Sequence, residues 1–129
     1  MAITPGHNLT KYIGVPYEKQ NCLDIVKAFY KNELDIELSN YYEGDRPSRT
    51  EIETLIVSNK GCLRPVELSK AEVGDLIIVN LYGMSCHIAI YIGNNRLLHS
   101  IRKVGSCIEP VAKYKKMIEG CYRHQERLA

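Results

Sequence analysis

The stretch Cys86 to Ile101, CHIAIYIGNNRLLHSI, constrains the fold of this chain more than any other part of it. Its residues alternate along an extended backbone. Ile88, Ile90 and Ile92 share one face, while His87, Ala89 and Tyr91 share the other. The isoleucine face must therefore lie on a core. Gly93-Asn94-Asn95 supplies the residue types a tight turn accepts, and Arg96 to Ile101 runs back as a second strand. Around this hairpin the pattern predicts more strands: Leu76 to Val79 after the turn signal Gly74-Asp75, a short one near Cys107 to Glu109, and another near Ile118 to His124.

The first half of the chain has a different period. Between Cys22 and Asn32, Leu23, Val26, Ala28, Phe29 and Tyr30 fall on the spacing of a helix with one buried face, and Asn21 stands before them as an N-cap. A second helix is expected from Arg49 to about Ser58. Ser48 and Glu51 form its capping box, and Ile52, Leu55 and Ile56 its apolar stripe. The expected architecture is α+β: a helix that begins at Cys22, packed on an antiparallel sheet of about five strands.

With 129 residues, the chain reads as one domain over residues 1–129, large enough to bury a core without metals or disulfides. Five cysteines at irregular spacing argue against a disulfide framework. A formal net charge of +2 with scattered basic residues gives no electrostatic pull toward nucleic acid, and Lys113, Lys115 and Lys116 read as a solvated surface. No apolar run approaches the roughly 20 residues of a spanning helix. The N-terminal MAITPGHNLTKY lacks the apolar stretch of a signal peptide, so synthesis in the cytoplasm without membrane insertion is expected.

Three residues could do chemistry together. A thiol attacks carbonyls as its thiolate, and the first turn of a helix, where Cys22 stands, stabilises negative charge through the macrodipole and unpaired N–H groups. The same N–H groups can help hold an oxyanion. His87 lies near the start of its strand beside the small Ala89, which leaves space on that face. His99 lies on the returning strand; counted outward from the Asn94-Asn95 turn the two histidines need not pair directly, but they can lie on the same face one step apart, where neutral His99 can accept the Nδ1–H of His87 and fix its orientation. The remaining cysteines, Cys62, Cys86, Cys107 and Cys121, read as core residues, with Cys86 pointing away from His87. His7 and His124 read as exposed, and Tyr41-Tyr42 could edge a groove. A zinc site drawing on Cys121-x-x-His124, with Cys86, His87, His99 or Cys107, lacks a second tight ligand pair. No metal and no cofactor are expected.

These residues carry a resemblance. Pro16-Tyr17 ahead of Asn21-Cys22-Leu23-Asp24-Ile25-Val26 resembles the nucleophile segment of the NlpC-type papain-like cell-wall peptidases. Gly74-Asp75-Leu76-Ile77 is similar to that family's Gly-Asp-Leu strand, His87 to Gly93 to its histidine strand, and Leu98-His99 to the strand bearing its third polar residue. The chain order Cys, His, polar is the same. Arg64-Pro65 and Gly120-Cys121-Tyr122-Arg123-His124 are most similar to the short versions found in bacteriophage tail-assembly proteins.

The resemblance implies a papain-like fold and a cysteine peptidase that cuts a peptidoglycan stem peptide between γ-D-glutamate and the diamino acid. It implies Cys22 as nucleophile, His87 as base and His99 as its orienting partner. Tyr17, Asn21 and Leu23 would be substrate-binding, with the Cys22 N–H and the Tyr17 hydroxyl at the oxyanion. No metal is required. The implied partners are peptidoglycan and, for a phage protein, other tail proteins; the implied setting is a virion tail acting in the host envelope. Asn21 and Leu23 replace the family's usual Asp and Ser, which often grip the free amine of the stem peptide. Asp24 replaces a Gly and reads as a solvated helix-start acid. Two alternatives belong beside this reading. One is a catalytically silent module that binds cell wall or assembles a tail. The other is a related lipid acyltransferase, whose relatives carry His before Cys, the reverse of the order here.

Overall fold

Helix α1, Cys22–Leu34, begins where a short polar side chain stands in for missing backbone acceptors. Asn21 Oδ1 accepts from the Leu23 and Asp24 N–H groups at 3.1 and 3.0 Å, and Asp24 Oδ2 accepts in return from the Asn21 N–H at 3.2 Å. The expected cap is therefore present, and Asp24, rather than being merely solvated, completes a capping box. The helix stops at Asp35, whose left-handed φ of 54° turns the chain and whose N–H bonds the Tyr30 carbonyl. The computed structural model describes residues 9–38, 63–81, 84–101 and 103–124, with backbone alone at 81 and 84–86. The expected helix over 49–58, Tyr41-Tyr42, His7, Cys62 and the Cys86 side chain lie outside what is described.

Among the described residues, six strands make one antiparallel sheet: β1 (Leu63–Pro65), β2 (Leu76–Leu81), β3 (Met84–Gly93), β4 (Arg96–Ile101), β5 (Gly105–Pro110) and β6 (Ile118–His124). Their spatial order is β1-β6-β2-β3-β4-β5. The strand beyond the expected five is β1, an edge of three residues ending in a proline, too short to show alternation. The β3–β4 turn works as the sequence implied. Asn94 and Asn95 both take left-handed φ, 53° and 56°, the pair of angles a two-residue turn needs to match strand twist.

The sheet is a middle layer. Leu76, Ile78, Ile88, Ile90, Ile92 and Leu98 face α1 and bury with Leu23, Val26, Phe29 and Tyr30. Ile77, Val79, Ala89, Leu97 and Cys121 face the other way, onto Val111 and Tyr114 of a 3-10 helix, Val111–Met117. Burial on both faces explains why β2 reads as an unbroken apolar run instead of alternating. The start of β2 is tied down by Asp75, which is fully buried. Arg123 on β6 grips both its carboxylate oxygens, Nε at 3.0 Å and Nη2 at 2.8 Å, and the Glu72 N–H donates to it at 2.7 Å. A carboxylate removed from water needs such charge-assisted partners. Gly74, before it, accepts the Tyr30 hydroxyl at 2.5 Å and so fastens α1 to this corner.

Candidate active site

The loop before Cys22 is stitched to the far edge of the sheet. The Gly14 N–H donates to the Ser106 carbonyl, the Ser106 N–H to the Val15 carbonyl, both at 2.9 Å, and Ser106 Oγ accepts the Val15 N–H at 2.8 Å. Such closeness requires Gly105: a Cβ there would stand 2.6 Å from the Val15 carbonyl oxygen. Lys19 and Gln20 then turn back onto the Pro16 carbonyl, and the Gln20 carbonyl accepts Ser100 Oγ at 2.8 Å. Cys22 follows two residues later. Its helix start is thus held at the end of the sheet where β4 finishes and β3 begins.

His87 is the first residue of β3 at that end whose side chain is described. Strand pairing sets Ile90 opposite Leu98 and so brings Ala89 opposite His99, and His87, two residues along β3 from Ala89, meets His99 diagonally past that small side chain. His87 Nε2 lies 2.8 Å from His99 Nδ1, and the rings cross edge to face at 4.9 Å. The expected pair is formed, but through the opposite nitrogen of His87: Nε2 meets His99, and Nδ1 is turned elsewhere. By strand alternation both rings lie on the side of the 3-10 helix, and α1 lies on the other side.

The pair continues into a third strand. His99 Nε2 lies 2.7 Å from Glu109 Oε1. The Tyr114 hydroxyl donates to the same oxygen at 2.6 Å, and Lys113 Nζ bonds Glu109 Oε2. Tyr114 also sets its ring edge-on to His99 at 5.3 Å. Burial works against ionising Glu109, but its hydrogen bonds from Lys113, Tyr114 and His99 outweigh this and hold it at about 2. Burial, reinforced by His99, lowers His87 to about 3, and burial lowers His99 as well. At neutral pH the site holds two neutral imidazoles against a carboxylate.

A protein-family model decides the relationship: the NlpC/P60 family matches residues 11–122. The chain belongs to the NlpC/P60 family. Solved NlpC/P60 structures share its fold. The NlpC/p60 domain of the peptidoglycan hydrolase SagA superposes with a TM-score of 0.61 at 18% identity, over 88% of this chain and 91% of that one. An NlpC/P60 family protein from Bacillus cereus gives 0.64 at 19% identity, over 90% of this chain and 37% of its own length. The P60 domain of an M. avium subspecies paratuberculosis antigen gives 0.53 at 18%, over 82% of this chain and 65% of that one. Among curated proteins nothing matches. The papain-like α+β architecture is therefore the NlpC/P60 fold.

Within that fold the other named residues fall as follows. Cys22 and Leu23 are both buried, each 1% exposed, and Leu23 packs in the apolar core against α1's neighbours. Asn21 is 2% exposed and serves as the helix cap, and Tyr17 is 7% exposed in the turn. The Leu23 and Asp24 N–H groups are engaged by Asn21, so neither is an oxyanion donor. Cys121 is a core thiol pushed up to about 12, first by burial and then by Asp75. His124 is not exposed as expected: it is 3% exposed, packed edge-on against Tyr30 at 6.2 Å. Three positions apart on a strand, Cys121 and His124 face opposite sides, so they form no zinc half-site. Cys107 is half-buried rather than core; it lies opposite His99, with Sγ 3.9 Å from Glu109 Oε1. His99, Cys107 and Glu109 bring donor atoms within 4.8 Å of one another, the metal-capable group found among the described residues, although Glu109 already accepts from Lys113 and Tyr114. Glu109 was the residue missed in the sequence. Its signal was an acid two positions from Cys107 on a strand next to that of His99, but only the register reveals that they meet.

Proposed function

We propose that this protein is a cysteine peptidase that hydrolyses a peptidoglycan stem-peptide bond of the γ-D-glutamyl–diamino acid type. Cys22 is the nucleophile, His87 the base and His99 its orienting partner. One observation carries the reading: the His87 Nε2–His99 Nδ1 bond at 2.8 Å occupies one ring nitrogen of a neutral imidazole and leaves Nδ1 to take a proton. The helix start bearing Cys22 is anchored at the same end of the sheet through Gln20 and Ser100. Family membership and the fold shared with a peptidoglycan hydrolase domain support the substrate class.

The steps balance without a metal. Cys22 Sγ attacks the carbonyl carbon as its proton passes to His87 Nδ1. The Cys22 N–H helps hold the oxyanion. The C–N bond then breaks and the leaving amine takes the proton from His87, leaving an acyl thioester. Water, deprotonated by His87, hydrolyses that thioester and restores the thiol. A tail-component setting is part of the proposal, supported by the resemblance at Arg64-Pro65 and Gly120 to His124.

A second reading, a silent wall-binding or assembly module, is favoured by burial: Cys22 is 1% and His87 5% exposed. One experiment separates the two. Purified muropeptides are incubated with the protein and with Cys22→Ser, and products are identified by mass; in parallel, iodoacetamide labelling of each cysteine is timed. Cleavage by the unmodified protein alone, with Cys22 labelled faster than Cys107 and Cys121, is expected. Intact muropeptides with equal, slow labelling would overturn the peptidase in favour of the silent module.

A further inference from the structure

We propose that Glu109 is a positioning residue that sets the tautomers of both histidines and so places the lone pair of His87 on Nδ1. The proposal concerns the two rings themselves; only its effect on the Cys22 reaction rests on the peptidase reading above.

An ionised carboxylate only accepts hydrogen bonds. Glu109 Oε1 lies 2.7 Å from His99 Nε2, so that nitrogen must carry hydrogen. Neutral His99 then has its lone pair on Nδ1, and Nδ1 lies 2.8 Å from His87 Nε2. His87 Nε2 must in turn be the donor, which leaves the lone pair of neutral His87 on Nδ1. The alternative arrangement reverses every step. With hydrogen on His99 Nδ1, its Nε2 lone pair would oppose a carboxylate oxygen at 2.7 Å. His87 Nε2 would have to accept, and its Nδ1 would carry hydrogen and could take no proton. One acid two strands away thus decides whether His87 can act as a base.

Glu109 is held for this task from a second element. Tyr114 donates to the oxygen that faces His99, Lys113 engages the other oxygen, and Tyr114 is 5% exposed with its ring against His99. The titratable and charged groups around the relay are His87 from β3, His99 from β4, Cys107 beside Glu109 on β5, and Lys113 and Tyr114 from the 3-10 helix. The carboxylate also opposes the burial that disfavours a charged His87. A proton arriving at Nδ1 would make an imidazolium linked through His99 to a fixed negative charge.

Two readouts test this. Nitrogen-15 NMR of the imidazole rings in the unmodified protein at pH 7 should show hydrogen on Nε2 of both His87 and His99. Hydrogen on His99 Nδ1 would overturn the proposal with no variant needed. Next, Glu109→Gln and Glu109→Asp, checked for folding by circular dichroism, are compared in the rate of Cys22 alkylation by iodoacetamide from pH 5 to 9. Gln can present either an oxygen or an amide to His99, so mixed tautomers and a drop of at least about tenfold at pH 7 are expected. Asp retains the charge and should recover part of the rate. Fast Cys22 labelling left unchanged by Glu109→Gln would sink the role of Glu109 and spare the peptidase. Slow labelling in the unmodified protein, with both rings carrying hydrogen on Nε2, would sink the peptidase and leave the tautomer relay standing.

Discussion

The two faces of the sheet are buried to a similar degree but by different chemistry. On the α1 side, Ile88, Ile90, Leu98, Phe29 and Val26 are fully buried in one apolar cluster. On the 3-10 helix side, apolar cover from Val111 and Tyr114 encloses a polar line that runs from His87 through His99 to Glu109 and ends at Tyr114 and Lys113. Dispersion and area burial reward any close fit, so the first face tolerates volume-conserving exchange. Hydrogen bonds in a dry layer reward only one arrangement of donors and acceptors, so the second does not. One face is packed chiefly by apolar side chains, and the other adds a continuous line of hydrogen bonds to its apolar cover.

The largest expected effect comes from exchanging a residue on each face. His87→Ala should lower muropeptide cleavage by about 10²–10⁴-fold, the contribution of a positioned acid–base group, with a smaller cost of about 1–3 kcal/mol in urea unfolding because His99 Nδ1 loses its partner. Phe29→Ala should do the reverse: it removes a fully buried ring and should cost about 3–5 kcal/mol of stability, while activity per folded molecule stays near that of the parent. Unfolding curves and initial rates on the same preparations measure both. Equal damage by both variants to both properties would break the division between faces.

The same division explains what the sequence made legible. The α1 face repeats simple periods, so Ile88, Ile90 and Ile92 and the stripe of α1 could be placed from spacing, and Asn21 from its type. Although the face they share depends on a register shift between Tyr91 and Gly93, without which His99 would stand opposite Ile90, His87 and His99 were placed near each other because the Asn94-Asn95 turn folds β4 back over β3. Glu109 was not, because the β4–β5 register depends on a looser turn, with Lys103 and Gly105 at positive φ, that residue types alone do not specify. The nitrogen joining the histidines also escaped, since ring orientation depends on what lies beyond His99. The burial of His124 was missed because a residue near the end of a chain reads as solvated until Tyr30 is known to pack beside it.

Acid should reveal the polar face next. The unfolded chain binds a proton at each histidine near 6.5, whereas folded His87 stays neutral down to about 3 and His99 is lowered in the same direction. The unfolded state therefore holds more protons below pH 6.5. Stability is fully present above that pH and falls as pH drops toward 3, by about 1.4 kcal/mol per pH unit for each histidine kept neutral. Glu109 adds a further loss between its ordinary 4.5 and about 2, because its carboxylate is preferred in the folded state. Urea unfolding at pH 7, 6 and 5 should show this slope, and His87→Gln should flatten it by one proton. A slope that His87→Gln leaves unchanged would mean that His87 is not held neutral by the fold.

The smallest change sharpens the comparison most, because it alters one atom at the seam between packing and polarity. Tyr114→Phe keeps the ring that covers His99 and removes only the hydroxyl that donates to Glu109 at 2.6 Å. A hydrogen bond to a charged group contributes about 1.5–3 kcal/mol, and the lower end is expected here because Lys113 continues to engage the carboxylate. The packing of Val111 and Leu97 should be untouched, so the loss should show as a lower urea midpoint with an unchanged slope in denaturant. If Tyr114 acted only as an apolar lid, Phe would match it or improve on it. A measured loss near that lower end instead would show that the 3-10 helix holds the carboxylate as well as covering the sheet.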